Sequence, residues 1–149
     1  MKRMLISILA SSTLLATPLL FAQGIQAPKP AAASAPQFKA HVLTRPELEA
    51  LLAKPEKLLL IDVRRPDELS RIGGFPVYLS VQPSELENSL AWIPKDRTIV
   101  TVSNHAARAG RAADLLASRG FKVAGAVGAQ TFEEQGGHLA KVQPPAPKP

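Results

Sequence analysis

Ile99-Val100-Thr101-Val102-Ser103-Asn104-His105-Ala106-Ala107-Arg108-Ala109-Gly110-Arg111-Ala112-Ala113 is the stretch that decides the fold. Its first four residues are β-branched, which predicts a buried strand. Its Ala-rich end suits a helix. A strand that turns so quickly into a helix leaves unpaired backbone N–H groups at the helix start. Those groups and the helix dipole favour an anion. Arg108 and Arg111 stand at that start, so Ser103, Asn104, His105, Ala106, Ala107 and Arg108 form a candidate anion-cradling loop.

The flanking segments alternate between strand and helix patterns. Phe38 to Leu43 is a strand candidate. Thr44 and Glu47 fit a capping box, followed by a helical stripe of Leu48, Leu51 and Leu52. Leu58-Leu59-Leu60-Ile61 is apolar without a break and reads as a central parallel strand. Asp62 closes it, at the strand end where open α/β sheets place ligands. A turn-forming or helix-capping carboxylate fits Asp62 equally well. Pro66 to Leu69 starts a short helix. Gly73-Gly74 and Pro76 turn the chain into a strand candidate at Val77 to Val81. Ser84 with Glu87 offers a second capping box before Leu86, Leu90 and Trp92 or Ile93. After the loop, Ala109 to Arg119 reads as a helix stopped by Gly120. Phe121 to Val127 is a further strand, and Thr131 to Gln135 a last short helix. This alternation predicts an α/β fold with a mainly parallel sheet and helices on both faces.

The 149 residues contain no cysteine, which excludes disulfides, thiolate metal sites and a Cys nucleophile. Lys2 and Arg3 precede a mostly apolar run from Leu5 to Leu20, and Ala22 offers a small residue for cleavage. This predicts a signal peptide over residues 1–22, export to the periplasm or beyond, and no stable membrane span after its removal. The competing expectation is a retained anchor, but Pro18 interrupts a run already near the lower limit of about 17–20 residues. Residues 23–37 read as a Pro/Ala-rich linker, 38–142 as the folded domain and 143–149 as a Pro-rich tail. Loss of Lys2 and Arg3 reduces the formal charge from +6 to +4. No basic run with interleaved aromatics suggests nucleic acid. His41, His105 and His138 have no metal-ligand spacing, and no cofactor is implied.

Over nearly all of Phe38 to Val142 the sequence resembles the rhodanese-like family. The resemblance lies in Leu60-Ile61-Asp62-Val63-Arg64-Arg65-Pro66-Asp67-Glu68-Leu69, in Trp92-Ile93-Pro94-Lys95-Asp96, and in the loop with Arg108-Ala109-Gly110-Arg111-Ala112-Ala113. Gly120-Phe121-Lys122-Val123 and the segment from Thr131-Phe132 to Gly136-Gly137 also fit. The resemblance implies a three-layer fold around a five-stranded sheet. It also implies an active loop of residues 103–108, headed by a cysteine that carries a persulfide. Here that position is Ser103, while Arg108 matches the closing arginine. The loop interior lacks the central glycine and serine, and Ile72-Gly73-Gly74-Phe75-Pro76 lacks the histidine usual in that turn.

A persulfide needs a thiolate, and a serine hydroxyl forms no stable equivalent. The sequence therefore argues against sulfur transfer and points to an inactive homologue that binds a small oxyanion or a periplasmic protein. The alternatives are a thiosulfate sulfurtransferase of the family type or a hydrolase using Ser103 with His105 as base. Asp62, Arg64 and Arg111 are the expected supporting residues. Arg108 either holds the anion or braces the loop by pairing with Asp62, Asp67 or Glu68.

Overall fold

The run Leu58–Asp62 forms strand β1, five residues long and apolar enough to be covered on both faces. In this computed structural model, which describes residues 37–141, β1 lies inside a four-stranded sheet. Its companions are β2 (Leu79–Ser80), β3 (Thr98–Ser103) and β4 (Val123–Gly128). The order is β2-β1-β3-β4, and every pairing is parallel. Parallel neighbours need crossover connections. The crossovers carry the helices α2 (Pro66–Ile72), α3 (Leu86–Ser89) and α4 (Ala107–Ser118), after α1 (Arg45–Leu52) and before α5 (Ala129–Glu134).

Strand periodicity divides the core into two layers. Leu58, Leu60, Val100 and Val102 face one side, packed with Leu48 of α1 and Phe132 of α5. Ile61, Val63 and Ile99 face the other, with Leu86 of α3 and Ala112 and Leu116 of α4. Each fully buried aliphatic side chain contributes about 1.5–3 kcal/mol relative to exposure. The three-layer α/β architecture expected from the sequence is thus present.

Several boundaries differ from expectation. The sheet has four strands, not five, because the first candidate contributes a single bridge, Val42 to Ala126. There Leu43 N–H donates to Ala126 O at 2.9 Å, and Ala126 N–H donates to His41 O at 2.8 Å. The approach requires Gly125, where any side chain would collide with the His41 carbonyl. The candidate at Val77 to Val81 shrinks to Leu79–Ser80. The second capping box is replaced by a 3-10 turn at Pro83–Glu85, and the helix begins at Leu86. Trp92 is 84% exposed, and Ile93 takes the buried position.

The first capping box forms, with Thr44 N–H donating to Glu47 Oε2 at 2.8 Å. Gly120, at φ 80°, ends α4. Its N–H donates to Ala117 O at 3.0 Å and that of Phe121 to Leu116 O at 3.1 Å, a Schellman closure. Among the described residues no helix is long and apolar enough to cross a membrane. The expected signal peptide and tail, and all of the expected linker except Gln37, lie outside the described residues.

Candidate functional site

Ser103 is the last residue of β3, and α4 begins only four residues later at Ala107. The chain makes this turn by placing Ala106 at φ 64°, in the left-handed region. Among the described residues it is the only non-glycine residue with positive φ. For an L-residue that conformation costs roughly 1–2 kcal/mol. The β4–α5 turn supports the loop, since Gln130 N–H donates to Asn104 O at 3.1 Å. A Cβ at Gly128 would come within 2.9 Å of the same carbonyl.

Ser103 is only 1% exposed. Its Oγ accepts the Ala109 N–H at 3.1 Å, satisfying one of the four amides that a helix start leaves without a partner. Thr101, on the same strand, donates its hydroxyl to Ala109 O at 2.8 Å. Two hydroxyls of β3 thus hold both backbone groups of one residue in the first turn of α4. His105 is exposed, and no hydrogen bond joins it to Ser103 among the described residues. The geometry does not assemble the base–nucleophile pair that a serine hydrolase requires.

Arg108 does not face an empty cradle. Its Nη1 donates to Glu68 Oε2 at 2.8 Å and its Nη2 to Glu68 Oε1 at 2.6 Å, a bidentate fork. The Asn104 side-chain amide donates to Glu68 Oε1 at 2.6 Å, and Arg65 N–H donates to Glu68 Oε2 at 2.9 Å. Four donors therefore converge on one carboxylate that the protein itself supplies. The Arg108 hydrogen bonds lower the Glu68 pKa to about 2, against the opposing effect of burial. The same bonds raise that of Arg108. Of the three carboxylates expected as bracing partners, Glu68 is the one used.

Asp62 and Arg64 form a second, fully buried pair. Arg64 Nη2 donates to Asp62 Oδ2 at 2.7 Å, Nε to Oδ1 at 2.9 Å, and the Arg64 backbone N–H to Oδ1 at 3.0 Å. Asp62 is thereby a turn-forming carboxylate that fixes the exit from β1. Arg64 Nη1 and Asn104 Oδ1 are buried and have no hydrogen-bond partner. Arg111 is exposed and, with Arg108, Pro83 and Leu86, lines a cavity of about 140 Å³. Among the described residues no group of histidine and acidic side chains is arranged to hold a metal ion.

The sequence offers Glu68 as one of three partners for Arg108, but sequence reasoning missed that Asn104 and the Arg65 N–H share it. The signal was present: Glu68 stands three residues after Arg65, at the spacing of a capping-box acid, just before an apolar helix position.

No family model and no curated protein matches the chain. Solved structures do. A protein of unknown function from Rhodopseudomonas palustris, described as a possible tyrosine phosphatase, is 23% identical at a TM-score of 0.58, over 67% of this chain and 84% of that one. A rhodanese-related protein from Thermoplasma volcanium is 20% identical at a TM-score of 0.59, over 70% of this chain and all of that one. A thiosulfate sulfurtransferase from Pseudomonas aeruginosa is 25% identical at a TM-score of 0.56, over 70% of this chain but 21% of that one. The chain has the rhodanese-like fold.

Proposed function

We propose that this rhodanese-like domain is an exported interaction module that performs no sulfur transfer and binds a partner protein. The observation that carries the reading is the bidentate Arg108–Glu68 fork beside a buried Ser103. Rhodanese chemistry needs a thiolate to accept sulfur, and the chain has no cysteine. The Ser103 hydroxyl caps a helix instead. Export rests on the leader pattern of residues 1–22.

The small-oxyanion reading loses support from the same fork. An incoming sulfate or phosphate has to displace Glu68 from four donors, at the cost of a charge-assisted bidentate pair. Calorimetric titration with thiosulfate, sulfate and phosphate tests this. No saturable heat is expected from the wild-type protein at millimolar anion. Saturable binding abolished by Arg108→Ala would overturn the reading.

A further inference from the structure

We propose that the cleft between the start of β1 and the approach to β2 docks an extended, acidic and apolar segment of a partner protein, which adds to the sheet along β1. The proposal rests on the interaction-module reading and supplies it with a surface and a partner chemistry.

The register creates the opening. β1 pairs with β3 along all five of its residues, but with β2 only at Ile61 and Asp62. Val63 N–H donates to Val102 O on the β3 side at 2.9 Å, and Val81 N–H donates to Asp62 O on the β2 side at 3.0 Å. Backbone groups alternate in direction along a strand, so the even-numbered residues of β1 face β2. Leu60 and Leu58 are the next two such positions. Among the described residues the Leu60 N–H has no acceptor, and the Leu58 carbonyl receives no donor. Leu60 is 3% exposed, and amides so enclosed normally have a partner.

A cavity of about 320 Å³ adjoins this edge, walled by Leu52, Pro55, Pro76, Val77 and Tyr78 together with Arg97. Val77, one of its walls, is 80% exposed, so a large apolar side chain stands open to solvent at the cavity. An unpaired strand edge beside a pocket for alternate side chains is the geometry of β-strand addition.

The charge selects the occupant. Arg97 has no ion-pair partner among the described residues, so a carboxylate on the incoming segment fits. The Pro-rich segments of this chain fit poorly. They carry Lys29 and Lys148, and proline cannot donate to a ladder. A second copy, itself net positive, brings like charge to Arg97. The cleft runs from Leu58 to Leu60, whose β3 partners Thr98 and Val100 stand five and three strand steps of about 3.3 Å, roughly 16 and 10 Å, from Ser103. Docking there leaves the Arg108–Glu68 brace undisturbed.

The test uses the full chain and fluorescent seven-residue peptides that alternate Val or Ile with Thr, in sets flanked by Glu, by Lys or by neutral residues. Fluorescence polarisation is expected to show binding of the Glu set at least tenfold tighter than the Lys set. Leu60 amide exchange, read by NMR, is expected to slow at least tenfold on binding. Val77→Asp should abolish binding, and Arg97→Glu should reverse the charge preference. Binding by no set, or binding without protection of Leu60, would overturn the proposal. So would a Leu60 amide already protected in the free chain, which assigns the cleft to the chain's own segment or to bound water. Self-association removed by Val77→Asp would assign it to a second copy, with the same consequence. Peptide binding lost in Arg108→Ala but kept in Val77→Asp removes the cleft and leaves the module reading. Thiocyanate formation by the wild-type protein removes the module reading and leaves the cleft.

Discussion

Arg108 and Glu68, forty residues apart in sequence, meet in a two-bond fork of 2.8 and 2.6 Å. It ties the start of α4 to the start of α2, across the loop of residues 103–108. The loop closes on an internal carboxylate.

Glu68→Gln keeps the side-chain shape and removes the charge. Because Glu68 is buried and Arg108 only about one-third exposed, the loss of stability should be about 2 kcal/mol, below the cost of breaking a fully buried pair. Urea denaturation at neutral pH measures it.

The pH dependence follows from the same pair. Glu68 titrates at about 2 in the folded protein against an ordinary value of 4.5. A lowered folded-state pKa gives stability that is present above the unfolded value and lost as pH falls through the folded one. The wild-type protein should therefore lose stability progressively between pH 4.5 and pH 2. That slope should be visibly shallower in Glu68→Gln. Glu47 and Asp67 are also held at about 2, but both are solvent-exposed and contribute little to the slope.

Ser103→Ala leaves the Ala109 N–H without its acceptor at the buried start of α4. The expected loss is about 1 kcal/mol, the usual cost of removing a helix cap. A neutral result would mean that water replaces the hydroxyl.

Ala106→Gly relieves a left-handed residue. The strain of roughly 1–2 kcal/mol exceeds the added chain entropy of glycine, so the variant should gain about 0.5–1 kcal/mol. A thermal melt reads the sign directly.

The buried strands β1 and β3 and the stop at Gly120 were legible because each rests on local pattern: an unbroken apolar run, or a residue type with one preferred place. Ser103 and Arg108 were legible as the two ends of the loop. Glu68 was legible as one of three possible partners of Arg108 but not as the one used, since a fork between residues forty apart depends on how α2 and α4 pack. The brevity of β2 was equally hidden. Val77 to Val81 has strand composition, but pairing with β1 extends to only two residues. Trp92 and Ile93 competed for one buried place, and helical spacing alone could not choose between them.

The central claim is that the loop braces the fold and performs no sulfur transfer. The most direct test is the thiosulfate-to-cyanide assay on purified wild-type protein. Thiocyanate formation should be indistinguishable from the protein-free blank. Turnover above that blank, lost in Ser103→Ala, would contradict it.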